Sequence, residues 1–327
     1  MQFSADILTQ CWFLCGPTAC GKSALSLSLA ERLDAEIVSL DSMSLYRGMD
    51  IGTAKPSLAE RARVPHHLID VLEPHEEFSL AQYLTAAETA CLQIVARGHR
   101  PLFVGGTGLY LKGVLRGVFE GPAADWTLRR ELDAQLQRDG HVALHRELQA
   151  IDPSTAARLH PNDARRVIRA IEVFRLTGQP LSELHTQGPR PAGERTPHVY
   201  WLSPPREWLY QRINDRVSWM FAQGLLDEVR NLMLSPRTLS QTARQALGYK
   251  EVIDWFEAAN DSSGRVQSSE ADSTAGLMDL IQTRTRQFAK RQHTWFRNLE
   301  ECIPIPITGQ ESVVELADQI AIRTELP

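Results

Sequence analysis

Over the first third of the chain, short apolar runs alternate with longer stretches of helical period. Cys11 to Cys15 is a continuous apolar run closed by Gly16 and Pro17, and it reads as a buried strand. Ser23 to Leu33 follows with leucines at 25, 29 and 33 on one helical face and Leu27 beside them. Glu36 to Leu40 is a second strand, ending at Asp41, and a third is expected near His67 to Val71. Phe78 to Arg97 has the period of a long helix, with Ser79 as its cap and Gly98 as its stop. Pro101 to Val104 is again a short apolar run, cut off by Gly105 and Gly106. Strand, helix and strand in this order predict a parallel sheet covered by helices on both faces.

The pattern changes near Gly121. Asp125 to Leu148 is charged and helical, Pro153 to Leu176 is helix-rich with five arginines, and Gly188 to Pro197 is a turn-rich linker. A strand at His198 to Ser203 returns to the first pattern, and helices then run from Pro205 to the region of Trp295. The polar stretch Asn260 to Asp272 interrupts them and reads as a loop. The fold class expected is α/β, a parallel-sheet core with a helical insertion domain. The core takes residues 10–120 and 198–300, the insertion 121–197, and residues 301–327 form a C-terminal tail. A length of 327 residues suits one such core plus a large insertion.

Composition narrows the classes further. With 43% hydrophobic and 23% charged residues, the chain is neither collagen-like, disulfide-rich nor wholly disordered. Cys11, Cys15, Cys20, Cys91 and Cys302 are too few and scattered for a disulfide framework, which implies reduced thiols. No stretch approaches about 18 consecutive apolar residues, so no membrane span is expected. The N-terminus lacks the basic and apolar regions of a signal peptide, and a cytoplasmic location is expected. The net charge of −5 counts, on average, against a nucleic-acid partner. The average hides two basic clusters: Arg158, Arg165, Arg166, Arg169 and Arg175, then Arg284, Arg286, Lys290, Arg291 and Arg297, the latter interleaved with Phe288, Trp295 and Phe296.

One motif carries chemistry directly. Gly16-Pro17-Thr18-Ala19-Cys20-Gly21-Lys22-Ser23 fits G-x-x-x-x-G-K-[ST], between a strand and an amphipathic helix. Its glycines let backbone N–H groups turn inward as an anion nest at a helix N-terminus. Lys22 supplies positive charge to phosphate oxygens, and the Ser23 hydroxyl is placed to meet Mg²⁺. The core is therefore expected to be P-loop NTPase-like and to bind a di- or triphosphate group. An ATP-dependent small-molecule kinase would account for this motif. Such enzymes carry a metal-holding Asp after an apolar strand, whereas Pro101 to Val104 runs straight into glycines. The acid at a good strand tip is Asp41, suited to be a metal ligand or a general base.

Further strings qualify the kinase reading. They are Tyr46 to Pro56 (YRGMDIGTAKP), Pro65 to Asp70 (PHHLID), Gly105 to Tyr110 (GGTGLY), His160 to Asp163 (HPND) and Arg284 to Arg297 (RTRQFAKRQHTWFR). With the P-loop, this set closely resembles the tRNA dimethylallyltransferases, also called isopentenylpyrophosphate:tRNA transferases, in their bacterial form, from about Phe13 to Arg297. The resemblance implies transfer of a dimethylallyl group from its diphosphate to N6 of the adenosine just 3′ of the anticodon. It implies that Gly16, Pro17, Thr18, Ala19, Cys20, Gly21, Lys22, Ser23 and Arg216 hold the diphosphate with Mg²⁺ at Ser23. Asp41 would be the base and Thr107 the hydroxyl that positions the amine. The tRNA anticodon stem-loop would be met by Asp41, Ser42, Met43, Ser44, Thr107, Arg129, Arg165, Arg166, Arg169, Arg244, Lys290 and Arg291. The target base is expected to leave its loop for a covered pocket, and one chain is expected to complete the site. Ser44 stands where many relatives carry glutamine, Cys20 where serine is common, and Ser23 replaces threonine with its hydroxyl kept. His66 and His67, being adjacent, are expected to be structural and not metal ligands. Tyr46, Arg47 and Lys55 are expected to shape the pocket.

Overall fold

A computed structural model describes residues 2–119, 121–184, 190–261 and 274–322. Apart from Asn260 and Asp261, which end the helix Tyr249–Asp261, the polar stretch read as a loop lies outside the described residues. Six strands form one sheet: β1 Trp12–Cys15, β2 Ala35–Leu40, β3 His66–His67, β4 Arg100–Gly105, β5 Val199–Ser203 and β6 Ile303–Pro306. Their order is β3-β2-β4-β1-β5-β6 and every pair is parallel. The central β1 is buried along its whole length, as a strand covered on both faces must be.

Register fixes where the loops emerge. Cys15 of β1 pairs with Gly105 of β4, and Leu40 of β2 pairs with the same Gly105. Cys15 also pairs with Trp201 of β5. The carboxyl ends of β1, β2 and β4 are therefore level, and the segments that follow them start side by side. Ligands of open parallel sheets sit at this edge. Gly105 makes the alignment possible, because a Cβ there would collide with the Leu40 carbonyl.

The helices follow the expected periodicity. Lys22–Leu33 buries Leu25, Leu27, Leu29 and Leu33, each contributing about 1.5–3 kcal/mol by apolar burial. Leu80–Ala96 begins with a reciprocal cap, in which Ser79 accepts from the Gln82 N–H and Gln82 accepts from the Ser79 N–H. Its buried face is Tyr83, Leu84, Ala87, Ala90, Cys91 and Ile94.

Two elements depart from expectation. The third strand is two residues long instead of reaching Val71, because Leu68 and Asp70 adopt left-handed φ values of 59° and 56°. That turn delivers Asp70 to Lys55 and Arg61. The segment after 300, read as a tail, contributes β6 and the helix Val313–Ile322. Leu316, Ala317 and Ile320 join the core that also holds Leu25, Leu29 and Leu33.

The chain divides into two compact units, one built from Gln2–Leu115 with Arg190–Pro327, the other from Arg116–Pro189. The second unit consists mainly of the helices Trp126–Ile151, Pro153–Arg158 and Ala164–Thr177 around Leu132, Leu144, Leu148, Val167 and Ile171. Among the described residues, no helix is long and apolar enough to cross a membrane.

Candidate active site

The phosphate loop leaves β1 at Gly16 and ends on Gly21, the N-cap of Lys22–Leu33. Ala19 and Gly21 take φ values of 64° and 93°, and such left-handed steps in a short loop gather backbone N–H groups into a concave nest. The Lys22 ammonium donates to the Gly16 carbonyl at 2.9 Å and the Pro17 carbonyl at 2.7 Å, so its charge is held at this loop. Ser23 is exposed in the first helical turn. Cys20 is buried, and its Sγ fills the space a Cβ on Gly16 would need.

Asp41 follows β2 and Thr107 follows β4, and hydrogen bonds tie the two together. The Thr107 N–H donates to the Leu40 carbonyl at 3.1 Å, and the Ser42 N–H donates to Thr107 Oγ1 at 3.2 Å. Asp41 Oδ1 accepts from the Met43 N–H at 2.9 Å, which sets the carboxylate's rotamer and leaves Oδ2 free of that bond. Ser44 is buried, with its hydroxyl 2.6 Å from Ser39 Oγ and 3.1 Å from the Asp41 carbonyl. The structure thus places Ser44 behind this turn, as a brace for Asp41.

The helix Arg206–Ala222 adds two guanidinium groups. Arg212 Nε donates to the Ala19 carbonyl at 2.9 Å inside the phosphate loop, and its guanidinium lies 4.9 Å from the Trp208 ring. Arg216, one turn on, lies with Nη2 3.4 Å from the Thr53 carbonyl. Burial lowers the pKa of Arg216, Asp41 counteracts this, and the like charge of Arg212 adds to it. Lys22, Arg212 and Arg216 therefore concentrate positive charge around one loop. That field suits a polyanion.

YRGMDIGTAKP is held by a half-buried carboxylate and a buried ammonium. Glu228 accepts from the N–H groups of Asp50, Ile51 and Gly52 at 3.0, 2.8 and 3.2 Å, and from the Tyr249 hydroxyl at 2.5 Å. Burial, then the neighbouring Glu228 carboxylate, pushes the Tyr249 pKa well up, so its hydroxyl stays a donor. The Tyr249 ring occupies the space where a side chain on Gly52 would lie. Lys55, only 1% exposed, donates to the Tyr46 carbonyl at 2.7 Å, Asp50 at 2.5 Å and Asp70 at 2.6 Å. His66 and His67 serve the sheet edge. His66 Nδ1 lies 2.7 Å from the Val64 carbonyl, and His67 Nε2 lies 2.6 Å from Glu36, which Arg97 also binds.

Comparison with known proteins places this geometry. The family model described as IPP transferase matches residues 44–299. The chain is 46% identical to a tRNA dimethylallyltransferase of Geobacter metallireducens over 90% of its length and 92% of that relative's. It is 48% identical to one of Halorhodospira halophila, covering 86% of this chain and 88% of that one. This chain belongs to the IPP transferase family. A crystal structure of a full-length tRNA isopentenylpyrophosphate transferase from Bacillus halodurans is similar, with a TM-score of 0.66, 38% identity and 97% of both chains covered. A eukaryotic dimethylallyltransferase acting on tRNA gives a TM-score of 0.72 at 28% identity, covering 96% of this chain and 78% of that one.

The basic residues separate into those paired with carboxylates and those that are not; of the latter, Arg286 donates to Asn214 at 2.6 Å. Arg129 binds Glu172 through two bonds of 2.9 Å, and Arg169 binds it at 2.6 Å. Arg175 pairs with Glu147, and Arg166 reaches Asp163 at 3.3 Å from a largely exposed position. Arg165 is exposed. Arg244, on a short helix, pairs with Glu257 at 2.6 Å. On the helix Thr274–Asn298, by contrast, Arg284, Arg286, Lys290, Arg291 and Arg297 have no carboxylate partner among the described residues. Its aromatic residues are not one open stacking surface: Phe288 is half-buried with the Arg291 guanidinium 5.8 Å from its ring, and the other two pack inward. Phe296 is buried beside Trp201, and Trp295 covers Gly108.

Sequence reasoning missed Arg212, Glu228, Tyr249 and Glu172, and it assigned no role to Gln292. The (i, i+4) spacing of Arg212 and Arg216 was a usable signal, since it puts both on one helix face. Nothing local marks Glu228 as an acceptor for three loop N–H groups or Glu172 as buried. Their partners come from distant segments.

Proposed function

We propose that this protein transfers a dimethylallyl group from dimethylallyl diphosphate to N6 of the adenosine 3′-adjacent to the anticodon of tRNAs, releasing diphosphate. One observation carries the reading: a phosphate loop, Asp41 and Thr107 emerge side by side from β1, β2 and β4, with Lys22 and Arg212 bonded to the loop and Arg216 near Asp41. Family membership supports the same chemistry.

In the reaction a bond forms between N6 and C1 of the dimethylallyl group as the C1–O bond breaks. The electron pair of that bond leaves with the diphosphate, and the N6 proton passes to the Asp41 carboxylate. Lys22, Arg212, Arg216 and the loop N–H groups stabilise the charge growing on the leaving group. Thr107, hydrogen-bonded to the turn that carries Asp41, orients the amine. Among the described residues, no cluster of three or more His, Cys, Asp or Glu could hold a metal unaided. A Mg²⁺ ion bound together with the diphosphate would need no such cluster, and the exposed Ser23 hydroxyl would be its protein ligand. When bound, the ion neutralises charge on the departing diphosphate. The anticodon stem-loop is the partner, the basic face of Thr274–Asn298 is its electrostatic platform, and a monomer is the acting form.

The kinase reading has no observation in its favour. The test is to incubate the protein with labelled dimethylallyl diphosphate or labelled ATP, each with and without tRNA. Label is expected in tRNA only with the prenyl donor, and with ATP omitted. Phosphoryl transfer from ATP without prenylated tRNA would overturn the proposal.

A further inference from the structure

The buried side of the helix Thr274–Asn298 links two loops of the site. Gln292 is 5% exposed, and both ends of its carboxamide are engaged. Oε1 accepts from the Thr18 N–H at 2.8 Å, and Nε2 donates to the Gly106 carbonyl at 2.9 Å. Thr18 belongs to the phosphate loop after β1, and Gly106 precedes Thr107 in the loop after β4. The last register pair between these strands is Cys15 with Gly105, so Gln292 carries the connection past the end of the sheet. Space for it is reserved: a Cβ on Gly106 would collide with Gln292 Nε2 and come within 3.2 Å of the Gly16 carbonyl. One turn on, Trp295 lies against Gly108, where a Cβ would meet its Cγ at 2.7 Å.

We infer that Gln292 is a positioning residue for the transfer step, fixing the separation between the diphosphate cradle and the amine-holding Thr107. The inference rests on the function proposed above. Transfer requires C1 of the donor, anchored through its diphosphate, to meet an amine held from a different loop. Without a link, each loop could bind its own substrate and still present it at the wrong distance. The link needs one acceptor and one donor on a single planar group, which a carboxamide supplies. An aliphatic side chain of similar length supplies neither, and leaves the Thr18 N–H and the Gly106 carbonyl without their partner.

Gln292→Met keeps the length and removes both bonds. Steady-state transfer should show kcat reduced about 10- to 100-fold, the range that small misplacement of reacting groups produces. The KM values for dimethylallyl diphosphate and for an anticodon stem-loop RNA should both stay within about twofold, because each loop still binds its own substrate and only their separation is loosened. Gly106→Ala displaces the same carboxamide from the opposite end and carries the test alone if Gln292→Met does not fold. In the double variant the two losses should fail to multiply, as expected of changes that break one contact. Three results would each overturn the inference: kcat within about twofold of the parent in the folded variants, both KM values rising together with a lowered melting temperature, or losses that multiply. If the parent itself makes no prenylated RNA, the proposed function has failed instead, and the two failures are distinguishable.

Discussion

At the scale of single residues, the proposed reaction makes Asp41 the position at which chemistry and binding should separate. It is held by the Met43 N–H and faces the positive charge of Arg216. Asp41→Asn keeps the shape and the bond from Met43 but cannot take the proton released by N6. Prenyl transfer is expected to fall about 10²- to 10⁴-fold, the usual contribution of a positioned base, with tRNA affinity within about threefold. Single-turnover transfer and filter binding on the same preparation measure both, and full activity in the variant would remove Asp41 from the mechanism. The place of Asp41 was legible because it follows an apolar run that had to be a strand, whereas Thr107 was singled out only by the resemblance of its glycine-rich string. Ser44 was less legible. Its place in a string associated with tRNA contact suggests a surface role, but its hydroxyl is spent on Ser39 and the Asp41 carbonyl.

At the scale of elements, the buried carboxylate of Glu172 ties the helical unit together. Glu172 sits on the inner side of Ala164–Thr177, fully buried, and receives Arg129, Arg169 and the Asp125 N–H, the last at 2.8 Å. Burial alone would raise its pKa, but the bonds from Arg129 and Arg169 outweigh this and hold it below the usual carboxylate range. A carboxylate with a depressed folded pKa contributes stability that is present above its unfolded pKa, about 4.3, and is lost as pH falls through the folded value. Glu172→Gln should therefore lower the melting temperature at pH 7 and reduce the difference between parent and variant as pH falls below about 4. Thermal melts of both proteins across this range check it; a constant gap would place the pH dependence elsewhere. Such a pair is hidden from periodicity, since Glu172 and Arg169 read as ordinary helix-surface charges. β3 and β6 were hard to read for related reasons. β3 is stopped by left-handed steps at Leu68 and Asp70 that serve Lys55 and Arg61, and β6 is a four-residue edge strand with two prolines.

At the scale of the whole molecule, net charge and local charge diverge. The total of −5 describes the average field, while the helix Thr274–Asn298 presents exposed Arg284, Lys290, Arg291 and Arg297 without carboxylate partners among the described residues. The other arginine-rich stretch looks equally basic in sequence, but Arg169 and Arg175 are consumed by internal ion pairs. Counting charges along a segment could not distinguish the two, because the neutralising Glu147 lies on another helix. The distinction has a measurable consequence. Each phosphate contact releases condensed counterions, so log K for tRNA falls with log salt, and losing one contact reduces that slope by about 1. Lys290→Ala and Arg291→Ala should each weaken anticodon stem-loop binding and flatten the slope by about that amount. Arg175→Ala should leave the slope as it is and lower stability instead, since its guanidinium is already bound to Glu147 at 2.7 Å. Binding isotherms at four or five salt concentrations decide the matter. Equal slopes for the parent and the Lys290 and Arg291 variants would mean that the tRNA backbone is held by a different face of the protein.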